Sequence, residues 1–354
     1  MEEVYKKLAI HLDNTPGGYP ETESRVELRI LKRLFTKEEA ELALSLVLMP
    51  EPVEAIALRA KKDPRKIRPM LIEMGRKGLS LHINRNGQDT FMLLQFVVGI
   101  WEYQVNRLTP ELITDFNEYA PYLIKSQEKH KTQQLRVIPV TQSINTELNI
   151  MDHEHLEALI KTQSKILVAP CICRKEHTMM GKGCGKIEEA CLIFGGGAYI
   201  YESRGIGRTI TQEEALEIVK KGVKQGLVPQ PSNSVKPVNI CLCCSCCCQI
   251  LSNIKKHQAP ARIVNSNFQA KVDPDQCTGC QACEEICPMD AIEMNETDLI
   301  AMVNTDRCIG CGLCVTVCEF DAMILRDKED MERWEPPQNL VETYMNIAKE
   351  KGLL

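Results

Sequence analysis

The sequence predicts an α+β protein in three successive parts followed by a short tail. Three observations support this: the first of the 18 cysteines is Cys171, the zone before it shows helical periodicity with one hairpin signal, and a cysteine pattern recurs 31 residues apart near the C-terminus. A hydrophobic content of 44% and a charged content of 26% are typical of globular domains. The predicted boundaries are 1–150, 151–265, 266–330 and 331–354.

The cysteine-free front zone begins with predicted helices. Thr36 stands before RLFTKEEAELALSLVL as an N-cap, and Leu42, Leu46 and Met49 fall on one helical stripe. PVEAIALRAK predicts a second helix. The run from Asp63 predicts a third, which ends at Gly78 as its C-cap.

A hairpin signal follows these helices. LSLHI and TFMLLQF alternate on either side of Asn86-Gly87, a pair that favours a two-residue hairpin turn. Three helices followed by a hairpin resemble a winged helix, so we expect a helical, winged-helix-like domain over residues 1–150. Residues 91–122 are again predicted to be helical, and KSQEKHKTQQLRVIPVTQS to be a polar linker.

Charge gives a mixed indication of what the front zone binds. Residues 51–85 contain nine Arg or Lys and four Asp or Glu, a local net charge of +5 that would suit phosphates. The net charge of the whole chain is -5, and Pro69 would interrupt the would-be recognition helix. Because winged helices also dock proteins, we favour protein docking over nucleic-acid binding.

The cysteines are predicted to be metal ligands in a cytoplasmic chain. The start, MEEVYKKLAIHLDN, is too polar for a signal peptide, and the longest nearly apolar run, FMLLQFVVGIW, has 11 residues and cannot span a bilayer. In the reducing compartment that this implies, thiols bind metals more often than they form disulfides.

The repeat carries the most specific signal. VDPDQCTGCQACEEICPMDAI and VNTDRCIGCGLCVTVCEFDAM each contain C-x-x-C-x-x-C-x-x-x-C. This part resembles the bacterial-type two-cluster ferredoxins, which implies two 4Fe–4S clusters with a crossed fourth ligand. The resemblance assigns Cys277, Cys280, Cys283 and Cys318 to one cluster and Cys308, Cys311, Cys314 and Cys287 to the other.

Three further features of the repeat bear on that assignment. Gly279 and Gly310 stand where the backbone would bend tightly past each cluster. Glu319 replaces, in the second repeat, the proline that stands at Pro288 in the first, so the two cluster environments are expected to differ. A zinc ribbon would use two C-x-x-C pairs, whereas here eight thiols form two identical quartets.

The other ten cysteines lie in the middle zone, which is predicted to be an iron–sulfur module. They are Cys171, Cys173, Cys184, Cys191, Cys241, Cys243, Cys244, Cys246, Cys247 and Cys248. We expect them to bind one or two additional iron–sulfur clusters of the 4Fe–4S type, with some thiols as spectators. A metallothionein would lack the flanking apolar residues, and a noncubane heterodisulfide-reductase-type site would need CCG where this chain has CCS.

Helix signals place these cysteines along the middle zone. MDHEHLEALIKTQ predicts a short helix, on which His153 and His155 are interpreted as solvated residues. Thr211 and Glu214 predict a capping box, and Gly226 ends that helix. If a helix also starts at Cys243, the cysteines after it fall on two stripes that could reach two clusters.

The whole chain resembles the 4Fe–4S dicluster-domain proteins of anaerobic metabolism. That resemblance implies an electron-transfer subunit or partner of a larger oxidoreductase, a redox-protein partner, and a front domain used for docking or for forming a homo-oligomer. Two alternatives remain open: a reductase whose middle zone holds an open-site cluster that binds substrate, and a redox-sensing DNA-binding regulator. The residues identify no catalytic side chain.

Overall fold

The computed structural model describes residues 2–144, 148–329 and 332–354. The chain divides into two compact units, residues 1–130 with 347–354, and residues 131–346. Both helix and sheet are present, as expected for an α+β protein. The finer division into four parts stays a prediction.

The first unit contains six helices and a small antiparallel sheet with the strand order β1-β3-β2. Its elements are α1 (Glu2–Asp13), α2 (Val26–Leu34), α3 (Lys37–Ala43), β1 (Glu51–Pro52), α4 (Val53–Ala60), α5 (Pro64–Arg76), β2 (Ser80–Arg85), β3 (Gln88–Leu93) and α6 (Pro110–Gln127). Its core includes Trp101, which stacks on Phe116 with 3.6 Å between ring centroids.

Local signals in the first unit are confirmed where they rest on backbone chemistry. Thr36 and Glu39 form a reciprocal capping box at the start of α3. Gly78, with a φ of +76°, follows the end of α5. Asn86 and Gly87 both adopt left-handed φ values in the turn between β2 and β3, as a type I′ hairpin requires.

Three expectations for the first unit are wrong. Residues 91–122 are not helical throughout, because β3 extends to Leu93 and α6 begins only at Pro110. The helix after Thr36 ends at Ala43 and does not extend to Met49, whose side chain is 65% exposed. Pro69 does not interrupt α5, which continues to Arg76. Pro69 is in the second turn of α5, so its missing N–H removes one bond from the helix without ending it.

The second unit is built around a five-stranded antiparallel sheet with the order β6-β4-β5-β8-β7. The elements as far as this sheet extends are α7 (Leu156–Lys161), β4 (Ile166–Pro170), α8 (Ile172–Met179), β5 (Glu189–Phe194), α9 (Gly195–Ser203), β6 (Arg208–Ile210), α10 (Gln212–Lys224), β7 (Val228–Pro231) and β8 (Asn239–Cys243). Thr211 caps α10, and Gly226 follows its end with a φ of +71°. The reciprocal half of the predicted capping box is not formed, because Glu214 pairs with Arg208.

The remaining elements lead into the internal repeat, form it and come after it. They are α11 (Gln249–Lys255), α12 (Pro260–Ile263), β9 (Phe268–Val272), α13 (Ala282–Ile286), β10 (Ile292–Met294), β11 (Ala301–Val303), α14 (Leu313–Thr316), β12 (Met323–Asp327) and α15 (Leu340–Glu350). β9 pairs with β12 and β10 with β11, both antiparallel. No helix in the described ranges is both long and apolar enough to cross a bilayer.

The second half of the segment predicted as a polar linker is mostly buried. Leu135, Val137 and Ile138 are each at most 8% exposed. The backbone N–H of Arg136 donates to the carbonyl of Pro231, and that of Val137 donates to the carbonyl of Asn265. The segment was predicted to be a linker because these few apolar residues lie in an otherwise polar sequence.

Candidate metal centres

The cysteines predicted as the first ligand set of the repeat line one cavity. Cys277, Cys280, Cys283 and Cys318 line this cavity, which opens to solvent, together with Phe320 and other apolar residues. Cys280 is exposed and Cys283 is buried. The N–H of Ala301 donates to Cys277 Sγ at 3.5 Å. Four thiols around a cavity of this kind fit a cubane cluster.

The second ligand set is more deeply placed. Cys308, Cys311 and Cys314 are buried, and Cys287 contributes to their electrostatic environment from the first repeat. Burial raises the pKa of the Cys311 and Cys314 thiols, so anionic sulfur is disfavoured there without a metal. The structure thus brings together the four cysteines of each predicted ligand set. We name these two sets the crossed quartets, because one cysteine of each comes from the other repeat.

Backbone N–H groups support this second set. The N–H of Ala270 donates to Cys308 Sγ at 3.3 Å, and the N–H of Ala291 donates to Cys287 Sγ at 3.2 Å. Such bonds stabilise negative charge on ligand sulfur and orient the thiolates.

The two glycines of the repeat lie where the chain approaches other backbone closely. Gly279 and Gly310 have φ values of +73° and +69°. A Cβ on Gly310 would lie 2.1 Å from the carbonyl oxygen of Phe268, and one on Gly279 would lie 2.7 Å from that of Leu299. Both positions therefore need glycine for space as well as for conformation.

Six of the remaining cysteines form a continuous group on the five-stranded sheet. Neighbouring thiols interact electrostatically with one another in the order Cys171, Cys173, Cys248, Cys243, Cys241 and Cys191. Cys191 on β5 lies directly opposite Cys241 on β8, and Cys243 lies two residues further along β8 on the same face. We name these residues the six-thiol group.

Two short helices bring the other members of this group over the sheet. Cys171 and Cys173 lie at the start of α8, and Cys248 is the N-cap residue of α11. Interactions with Cys173 and Cys243 lower the pKa of the Cys248 thiol, burial raises it, and the N–H groups of Leu251 and Ile250 lower it further. A thiolate held in this way can bind a soft metal.

The predicted helix from Cys243 is wrong. Residues 239–243 are strand β8, which pairs with both β5 and β7, and helix begins only at Gln249. The residues between them form a turn closed by a hydrogen bond from the Cys248 N–H to the Cys244 carbonyl at 3.1 Å. The cysteines are therefore divided by a strand and a turn, rather than by two stripes of one helix.

The last four cysteines form a separate and tighter group. The sulfur atoms of Cys184, Cys244, Cys246 and Cys247 all lie within 4.8 Å of one another. Cys184 comes from the segment between α8 and β5, and the other three come from the turn after β8. We name these residues the tight quartet.

A buried arginine lies between the two groups. Arg174 on α8 is 2% exposed, and both of its terminal nitrogens donate to the Leu242 carbonyl at 3.0 Å. Nη1 also lies 3.7 Å from Cys244 Sγ. Burial alone would lower the pKa of Arg174, but the neighbouring thiolates raise it by a larger amount. The guanidinium therefore stays charged and offsets their negative charge.

A buried carboxyl group lies two residues later in α8. Glu176 is fully buried, and its Oε1 accepts from Gln249 Nε2 at 2.7 Å. Burial raises the pKa of Glu176 to about 8, against a lowering by Gln249. Sequence reasoning missed Arg174 and Glu176, because CICRKEH gives no sign of which charged residues face inward.

Three histidines of the middle zone lie in different local environments. His155 Nδ1 accepts from the Ala158 N–H at 3.3 Å and caps α7. His177 Nδ1 donates to the Cys173 carbonyl at 2.8 Å, which fixes the ring beside the six-thiol group. His153 is partly buried, and burial lowers its pKa.

Comparisons with known proteins agree with the repeat. The 4Fe-4S dicluster domain family matches residues 253–322. A mitochondrial pyruvate dehydrogenase (NADP(+)) of Euglena gracilis is 57% identical over 30 residues, which are 8% of this chain and 2% of that protein. This chain therefore spans about 2% of the length of that relative. No solved structure matches.

These findings define the class of protein. The matched domain contains the crossed quartets, no disulfide joins any of the eighteen cysteines, all of which are among the described residues, and ten of them lie outside that domain. The chain is an iron–sulfur protein of mixed helix and sheet, with chemistry suited to electron transfer.

Proposed function

We propose that the protein is a multi-cluster electron-transfer protein that serves a larger anaerobic oxidoreductase as a subunit or partner. The observation that carries the proposal is the gathering of the two crossed quartets and the six-thiol group in one compact unit. Clusters bound at these sites would supply one-electron chemistry at low potential. The protein's own residues would set how far each cluster is exposed to solvent, the charge around it and the distances between clusters.

The two crossed quartets differ in solvent exposure, which supports electron exchange with a partner protein at only one of them. Cys280 is exposed at the first set, whereas three of the four cysteines of the second set are buried. Leu299, Met302 and Phe320 near the first set are also about half exposed. The first set is therefore the surface at which a redox protein would exchange electrons.

Contacts also join the second set to the six-thiol group. Helix α11 begins after Cys248, and at its far end Lys255 Nζ lies 2.7 Å from Asp290 Oδ1, three residues after Cys287. Arg307 Nη2 donates to the Lys255 carbonyl at 3.0 Å. One seven-residue helix, about 10 Å long, thus separates the two groups along this path.

The front unit is assigned to docking or dimerisation. Its order of helix, strand, two helices and two strands from α3 to β3 supports a winged-helix-like domain. Within the described residues, six of the nine basic side chains of residues 51–85 pair with acidic groups: Arg59, Lys62, Arg65, Arg68, Arg76 and Lys77. This pairing reduces the charge available to phosphates and favours a protein partner.

Cluster content tests the proposal. The full chain, purified without oxygen, should contain at least about twelve irons and matching acid-labile sulfide, because three cubanes hold four irons each. Low-temperature electron paramagnetic resonance after reduction should show interacting clusters. A content of about eight irons would remove the middle zone from the proposal, and clusters that accept no electron from low-potential donors would overturn it.

A further inference from the structure

The tight quartet differs geometrically from the ligand sets of the crossed quartets. Its four sulfurs lie within 4.8 Å of one another. Within residues 2–144, 148–329 and 332–354, no three thiols of the crossed quartets approach that closely. The crossed quartets, which resemble cubane sites, provide an internal reference for how this chain spaces thiols around a cluster.

The two spacings correspond to different metal chemistry. Four sulfurs bound to one zinc ion at ~2.3 Å form a tetrahedron with sulfurs ~3.8 Å apart. In a cubane each thiolate binds a different iron, so the sulfurs must stand further apart. We propose that Cys184, Cys244, Cys246 and Cys247 bind a single tetrahedral divalent metal ion, zinc or iron, rather than a cluster.

The local backbone supports a closed site of this kind. The turn from Cys244 to Cys248 is closed by a backbone hydrogen bond and directs three thiols to one point. The Cys247 N–H donates to the Cys244 sulfur, and Arg174 Nη1 lies 3.7 Å from the same atom. Four thiolates and a divalent ion carry a net charge of −2, which these donors stabilise.

The position of Cys184 indicates what the ion does. Residues 180–188 contain no helix or strand, and Cys184 lies in the middle of this segment. An ion bound by Cys184 and by the turn after β8 ties the segment to the sheet. The site is thus structural if it holds zinc, and it adds a mononuclear redox centre if it holds iron.

Metal stoichiometry tests this inference on the full chain, purified without oxygen. Zinc, iron and acid-labile sulfide are measured per chain in the wild type and in a double variant, Cys184→Ser with Cys246→Ser. The expected result is the loss of about one metal ion per chain with sulfide unchanged, because only one ion is bound there. Lost zinc identifies a structural ion, and lost iron without sulfide identifies a single iron.

Two results would overturn the inference. One is the joint loss of about four irons and four sulfides, which is the content of a cubane. The other is an unchanged metal content. Cys280→Ser is the matched control, since it replaces an exposed cysteine of a crossed quartet and should remove irons together with sulfide.

A second measurement covers the case in which the double variant does not fold. X-ray absorption of the wild-type chain at the zinc edge should show four sulfurs at ~2.3 Å, as in a closed tetrathiolate site. If zinc is missing, Mössbauer spectra should show a high-spin iron separate from the clusters. The absence of both signals would contradict the inference. These readouts do not depend on electron transfer, so they distinguish this inference from the proposed function.

Discussion

At the scale of single residues, Glu176 places a titratable group in the interior beside the six-thiol group. Its carboxyl is fully buried, and burial raises its pKa from 4.5 to about 8. Between these pH values the folded protein holds a proton that the unfolded chain has released. The folded state therefore binds more protons, and its stability falls as the pH rises through this window.

Replacing Glu176 by glutamine should flatten this dependence. The amide keeps an oxygen that can accept from Gln249 Nε2, but it carries no ionisable proton. We expect the thermal midpoint of the wild type to fall from pH 4.5 to about 8 more steeply than that of Glu176→Gln. Circular dichroism at a fixed heating rate measures both.

The control for this prediction is Glu217→Gln, which changes a carboxylate whose side chain is 72% exposed. It should leave the wild-type pH profile unchanged. Parallel profiles for wild type and Glu176→Gln would show that the buried carboxyl does not titrate in this window.

At the scale of elements, the turn that carries Gly310 approaches strand β9. A Cβ at this position would lie 2.1 Å from the Phe268 carbonyl oxygen, whereas one on Gly87 would meet nothing within 4 Å. Both glycines have left-handed φ values, so replacement by alanine costs each a similar backbone strain. Only Gly310→Ala also displaces backbone next to Cys308 and Cys311.

We expect Gly310→Ala to destabilise the protein by at least ~1 kcal/mol more than Gly87→Ala, because the substituted backbone cannot keep its place. It should also lower the iron and sulfide content. Thermal unfolding and cluster analysis of the two variants measure these effects. Equal stability and equal iron content in the two variants would contradict a tight approach of this turn to β9.

The elements also show what could be predicted from sequence. The cap at Thr36, the hairpin at Asn86-Gly87 and the helix end at Gly226 depend on local backbone chemistry, and all three are confirmed. The helix expected from Cys243 failed because pairing of β8 with two neighbouring strands outweighs local preference. Such pairing joins distant residues, and no local pattern records it.

The candidate sites likewise differ in how much of each could be predicted from the sequence. The resemblance of the repeat to two-cluster ferredoxins assigns the crossed quartets, and three of the four cysteines in each quartet lie within seven residues of sequence. The partition of the other ten thiols depends on which strand, turn or helix each occupies. Cys243 and Cys244 are adjacent in sequence but belong to different groups, because the strand ends between them.

At the scale of the whole molecule, the proposed function gives the two crossed quartets different roles. Cys280 lies at the surface and the second set lies inside the same unit. A large redox protein can approach only the exposed set, whereas a small reductant such as dithionite can diffuse closer to the others. Removing the exposed cluster should therefore affect protein donors more than small ones.

The variant Cys280→Ser tests this difference. We expect its reduction by a reduced flavodoxin, the protein donor, to slow by an order of magnitude or more, because the productive docking site is lost. Dithionite should still reduce the remaining clusters, with their paramagnetic signals intact. Glu217→Gln, which changes an exposed carboxylate on α10, should keep the wild-type rate with flavodoxin. If Cys280→Ser also keeps that rate, electrons enter at another surface, and the exposed set is not where partners dock.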